Sequence, residues 1–181
     1  MRRLPAVNGP SNGAGGLAVA SESCALSTVG ATYEGEVHQG EVVRLDGGYQ
    51  FCNGIAVAAD DRTLIVAETM TKALWAFDIQ SPGVVANKRL WARLPGEGLG
   101  PDGMDFDEAG YLLVAYWGGS AIAVFDPQGR WVENVETPFA APSNVHFGGE
   151  DGRWVYVTEH THHALWKFHW VRRGQPQYCI R

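Results

Sequence analysis

The chain has 181 residues, 45% of them hydrophobic and 19% charged, enough for one domain with a substantial apolar core. Its formal net charge is −6, and its 14 Lys and Arg are scattered among 20 Asp and Glu, which argues against a nucleic-acid partner because phosphate binding rests on clustered cations. No apolar run approaches the roughly 18–20 residues of a membrane helix, and the opening residues lack a continuous apolar stretch, so no membrane association and a cytoplasmic location are expected.

The 23 Gly, 9 Pro and 7 Trp predict short strands and tight turns with little helix. Cys24, Cys52 and Cys179 are odd in number and far apart, unlike a disulfide framework or a C-x-x-C zinc site, and they read as reduced thiols. From the N-terminus, residues 1–16, "MRRLPAVNGPSNGAGG", read as a loose lead-in. Residues 17–181 then read as one domain, beginning with a degraded unit ("GAGGLAVASES", then "HQGEVVRLDGG") in which only middle strands are recognisable.

Three fuller units follow, starting at Asn53, Asp102 and Ser143. Each runs as turn, strand, acidic-Gly turn, strand, polar loop, strand. The second strands, "TLIVAET", "YLLVAYW" and "WVYVTEH", are almost continuously apolar, as in strands buried on both faces. The third strands, "ALWAFDI", "AIAVFDP" and "ALWKFHW", put large side chains on one face, and "KRLWARLP" and "GRWVENVETP" supply fourth strands. A period of about 40–50 residues with four strands is that of a β-propeller blade. A sandwich of hairpins would not require the same order of motifs three times. The expected fold is therefore all-β, a partial propeller of about three and a half blades. Propellers close with four to eight blades, and an open arc exposes edges that template pairing. Such an arc would dimerise to complete the ring, swap strands, or belong to a longer protein.

In a propeller the loops entering the innermost strands converge on the axis. Here they carry Asn53, Asp102 and Ser143-Asn144, a hard oxygen set suited to calcium, magnesium or manganese. Asn-Gly and Asp-Gly are also good turn formers, so both readings stand. Glu68 and Glu159 end second strands and are expected to face loops. Trp75, Trp117 and Trp166 fall at comparable blade positions and read as packing between blades, with Trp117, before Gly118-Gly119, the one most open to a pocket role. The "EHTHHALW" segment offers His160, His162 and His163 but no closed set of four ligands. These read as surface histidines, with His160 able to rim a pocket. Arg172-Arg173 reads as a solvated end. Serine-hydrolase elbows, P-loops and dinucleotide fingerprints are missing.

"FCNGIAVAADDRTLIVAET", "GPDGMDFDEAGYLLVAYWGG", "VFDPQG" and "FGGEDGRWVYVTE" resemble the gluconolactonase, regucalcin (senescence marker protein) and luciferin-regenerating-enzyme family, over roughly residues 36 to 170. The resemblance implies a six-bladed propeller that binds one divalent cation on its axis and hydrolyses small-molecule sugar lactones. The cation would be calcium, with magnesium, manganese or zinc as alternatives. By the same resemblance Asn53 matches a metal ligand, and Asp102 a ligand that also serves as the catalytic base. Asn144, Trp117 and His160 are the candidate substrate contacts. Two departures stand out: the family's first glutamate ligand has no counterpart here, and "LPAVNG", with Asn8, stands where the family has Arg-x-Asn-Asp. The chain therefore reads as a lactone (carboxylic ester) hydrolase. The alternatives are a truncated, non-catalytic binding or assembly module, or a strictosidine-synthase-like propeller, which shares the "VAET" pattern without needing the metal pair.

Overall fold

The computed structural model of the protein describes residues 43–176. The lead-in at 1–16, Asn8 and most of the degraded unit lie outside the described residues. The described part of that unit, residues 43–48, holds no strand.

Eleven strands are described, in three antiparallel sheets laid down in chain order. The first sheet holds β1 (Cys52–Val57), β2 (Thr63–Glu68), β3 (Ala73–Ser81) and β4 (Val84–Arg93). The second holds β5 (Gly100–Phe106), β6 (Leu112–Trp117), β7 (Ala121–Phe125) and β8 (Trp131–Glu136). The third holds β9 (Pro142–Gly148), β10 (Trp154–Glu159) and β11 (Ala164–His169). The first strands touch from sheet to sheet, β1 against β5 and β5 against β9, which makes them the innermost strands of three consecutive propeller blades.

Local chemistry explains the hairpins. At each acidic turn one carboxylate collects backbone N–H groups ahead of it. Asp60 Oδ1 accepts from Arg62 and Thr63, Asp107 Oδ1 from Ala109 and Tyr111, and Asp126 Oδ1 from Gln128 and Arg130. These Asx turns reverse the chain without tertiary help.

Packing sets the stacking. One apolar layer joins the first two sheets through Ile65, Ala67, Leu74 and Ala76 against Met104, Phe106, Leu112, Val114 and Phe125. A second joins sheets two and three through Leu113, Ala115, Ile122 and Val124 against Val145, Phe147, Val155 and Val157. The second sheet is thus covered on both faces, as its continuous apolar runs require. In β10 the expectation of burial on both faces fails: Trp154, Tyr156 and Thr158 are not buried while Val155 and Val157 are, because no further sheet among the described residues covers their side.

The tail differs from a solvated end. After β11 the chain turns back beneath all three sheets. Trp170 Nε1 and Arg172 Nε both donate to the fully buried Asp107, at 3.0 and 2.5 Å. The Arg172 guanidinium lies 4.1 Å over the Tyr111 ring, Gln175 N–H reaches Phe106 O, and Gln175 Nε2 donates to Val57 O at 2.7 Å. Residues 170–175 therefore strap sheet three to sheets two and one.

Candidate functional site

The three innermost strands share one irregularity. In β1 the pairing with β2 steps from Cys52–Glu68 to Ile55–Val66. In β5 it steps from Pro101–Tyr116 to Met104–Val114, and in β9 from Pro142–Glu159 to Asn144–Thr158. Each step is a β-bulge, and the extra residues are Asn53-Gly54, Asp102-Gly103 and Ser143. Bulges re-aim side chains out of the regular alternation, which turns these polar residues toward the axis.

The Asn-Gly and Asp-Gly pairs consequently lie inside strands and not in turns. Their glycines serve close approach: a Cβ on Gly54 would fall 2.0 Å from Asp102 O, and one on Gly103 2.0 Å from Asn144 Oδ1. Only a residue without a side chain lets neighbouring innermost strands come this near.

One cavity of about 540 Å³ collects the predicted residues Asn53, Asp102, Ser143, Asn144, Trp117 and His160. The register explains the second half of this set. Val66, Val114 and Val157 occupy equivalent positions by their pairing with Ile55, Met104 and Val145. Three residues further on come Thr69, Trp117 and His160, all in the cavity wall. Trp117 thus ends a second strand and is not equivalent to Trp75 and Trp166, which sit in third strands. The Trp117 and His160 rings meet edge to face at 4.7 Å, so each holds the other's orientation.

One step earlier in the register stand Glu68, Tyr116 and Glu159. Glu68 accepts Gln50 N–H at 2.6 Å and Trp75 Nε1 at 2.7 Å. Burial pushes its pKa up, but these hydrogen bonds outweigh burial and the net shift is downward. Tyr116 Oη donates to Pro95 O. Glu159, buried at the cavity edge, accepts N–H groups from His162 and Ala164 and is likewise lowered, its hydrogen bonds again overcoming burial. These side chains hold the loops around the site, as expected for Glu68 and Glu159.

Sequence reasoning missed Phe51, Thr69, Met70, Leu99 and Thr158, which complete the lining. Phe51 holds a left-handed φ of 66° and is 60% exposed, with Met70 at 50% and Leu99 at 46%. They form an apolar rim above a polar floor. Phe51 stands directly before β1, and the sequence alone carries no signal that it faces solvent. Below the floor, His146 Nδ1 lies 3.0 Å from Asp105 Oδ2, and this hydrogen bond raises the His146 pKa against the opposing effect of burial.

Asn53 and Asp102 offer hard oxygen donors, the chemistry that suits a hard divalent cation. Among the described residues no group of three or more His, Cys, Asp or Glu could hold a metal ion; Asn53 and Asp102 are two oxygen-bearing side chains in one cavity wall. His162 and His163 are absent from the cavity lining.

The family described as SMP-30/Gluconolactonase/LRE-like region matches residues 12–161. Among curated proteins, the chain is 49% identical over 147 residues to a diisopropyl-fluorophosphatase of Loligo vulgaris, a match covering 77% of this chain and 46% of that protein. It is 28% identical over 134 residues to a 6-deoxy-6-sulfogluconolactonase of Pseudomonas putida, covering 74% and 44%. Among solved structures it is similar to a gluconolactonase from Xanthomonas campestris, with a TM-score of 0.58 and 29% identity over 68% of this chain and 39% of that one. The chain spans less than half the length of these relatives.

Proposed function

Since the chain belongs to the SMP-30, gluconolactonase and luciferin-regenerating-enzyme-like family, we propose that its cavity is part of a hydrolase site for sugar lactones that works with a divalent cation, calcium foremost. The observation that carries this reading is the delivery of Asn53 and Asp102, from bulges on adjacent innermost strands, to one cavity.

In this reading Asn53 and Asp102 hold the cation. When bound, it polarises the lactone carbonyl and stabilises the developing oxyanion. The Asp102 carboxylate takes a proton from water as the water oxygen bonds to the carbonyl carbon, then returns it to the ring oxygen as the C–O bond breaks, leaving a hydroxy acid. Asn144 and His160 orient the sugar hydroxyls, Trp117 gives the ring a flat wall, and the rim of Phe51, Met70 and Leu99 keeps bulk water out. A second copy of the chain, closing the ring, belongs to the proposal.

A second reading is hydrolysis of an organophosphorus fluoride, in which water oxygen bonds to phosphorus and fluoride leaves. It is favoured by the 49% identity to diisopropyl-fluorophosphatase against 28% to the sulfogluconolactonase, and by the exposed apolar rim, which suits alkyl groups better than hydroxyls. The test assays the full chain on a panel of aldonolactones and on diisopropyl fluorophosphate, with calcium and with chelator, beside Asp102→Asn and a measured solution mass. Lactone turnover that falls at least about 100-fold in kcat/KM in the variant and on chelation is expected. No turnover above the uncatalysed background would leave the non-catalytic module, equal catalysed rates for variant and wild type would remove Asp102 from the chemistry, and turnover indifferent to chelator would favour a metal-free propeller of the strictosidine-synthase kind. Turnover of the fluorophosphate alone would select the second reading. Full activity at a monomer's mass would remove the second copy.

A further inference from the structure

We infer that Thr69 is a positioning residue, whose hydroxyl decides which end of the Asn53 amide faces the cavity. The inference rests on the cation reading above.

Thr69 follows β2, is buried at 3% exposure and hydrogen-bonds a residue in each of the two strands that carry the oxygen donors. Its backbone is held from two sides. The Thr69 N–H donates to Phe51 O at 3.0 Å, and its carbonyl is packed so closely on Gly100 that a Cβ there would fall 1.9 Å from Thr69 O. The hydroxyl is therefore fixed in place. It donates to Pro101 O at 2.8 Å, next to Asp102 in the chain, and receives Asn53 Nδ2 at 3.3 Å.

A hydroxyl has one hydrogen and two lone pairs. Pro101 O is a carbonyl and can only accept, so the single hydrogen is committed to it. What remains toward Asn53 is a lone pair, which accepts the amide NH2 and repels the amide oxygen. The NH2 end is thereby held at Thr69, and Oδ1 becomes the end available to the cavity. A cation is attracted by Oδ1 and repelled by the NH2, so the orientation is worth binding energy only because one end of the amide is wrong. Thr69 also ties this choice to the strand that carries Asp102. Trp117 and His160, its equivalents in the other sheets, are pocket walls; Thr69 alone of the three is a hydroxyl.

The test uses the full chain and Mn²⁺ alone as probe, titrated by electron paramagnetic resonance. Thr69→Val removes the lone pair while keeping the shape, and should weaken Mn²⁺ binding about tenfold, as loss of an outer hydrogen bond to a ligand does. Thr69→Ser should bind within about twofold of wild type. Asn53→Asp decides between orientation and mere packing, because a carboxylate presents an oxygen whichever way it is turned. In that background Thr69→Val should cost less than about twofold. An equal loss in both backgrounds, or none in the Asn53 background, overturns the inference.

A metal-free measurement runs beside it. The Asn53 side-chain NH2 signals, identified in ¹⁵N spectra by their loss in Asn53→Asp, should exchange slowly with solvent in the wild type. Fast exchange overturns the inference even if Thr69→Val fails to fold. If wild type binds no Mn²⁺, the cation reading falls, and slow or fast exchange still decides whether Thr69 orients the amide.

Discussion

Sheets two and three are built from the same repeat but live in different surroundings. In β6 and β7, Leu112, Leu113, Val114, Ala115, Ala121, Ile122 and Ala123 are all at 0% exposure, because a neighbouring sheet lies on each face. In sheet three, Val155 and Val157 are as deeply buried on the side facing sheet two, yet on the other side Leu165 of β11, the cross-strand partner of Thr158, is 69% exposed. Hydrophobic runs in a propeller thus report how many neighbours a blade was built to have. A blade at the end of an arc keeps the sequence of a covered strand on a face that is open among the described residues. Such a face stabilises little until something covers it.

The largest effect expected from this contrast is at Leu113. Leu113→Ala leaves a cavity between two packed sheets and should lower the unfolding free energy by about 3–5 kcal/mol in urea titrations. Leu165→Ala in the same assay should change it by no more than about 0.5 kcal/mol. A large loss at Leu165 would break the comparison and reveal that the outer face of β11 is covered in solution.

The strap gives the next effect. Arg172→Ala strips a partner from a carboxylate with no exposed surface, and breaking a buried pair costs roughly 3–5 kcal/mol. Trp170 Nε1 and two backbone N–H groups still hold Asp107, so about 3 kcal/mol is expected, read from the urea midpoint. A shift under about 0.5 kcal/mol, the range of ordinary surface changes, would return the tail to a solvated end.

The smallest effect is electrostatic and joins sheets two and three near the axis. Asp105 raises the folded-state pKa of His146, so the folded chain holds a proton more tightly than the unfolded one. That stabilisation is complete below the unfolded value near 6.5 and fades as pH rises through the folded value. Wild type should lose stability relative to His146→Asn across that window in melts recorded at a series of pH values. Parallel curves would show that the contact contributes nothing.

Much of the fold could be read from residues one turn apart. Asp60, Asp107 and Asp126 make their turns with neighbours two to four residues away, and strand alternation is equally local. The candidate site was legible through its recurrence: Asn53, Asp102 and Ser143 stand at the same point of each repeat, and one cavity receives all three. What stayed hidden depends on partners distant in the chain. Thr69 meets Pro101 32 residues away, and Arg172 meets Asp107 65 residues away. Neither contact leaves a mark on local spacing, and Asn-Gly looks like a turn until the bulge and the approaching strand are both in view.

Pattern along the chain determined that this protein is a run of antiparallel units of three or four strands with an amide and an acid at the head of two of them, because turns and alternation are short-range properties. Which way those heads point, which hydroxyl meets the Asn53 amide and where the tail is anchored were settled only when three sheets stacked, because each depends on atoms brought within hydrogen-bonding reach by packing.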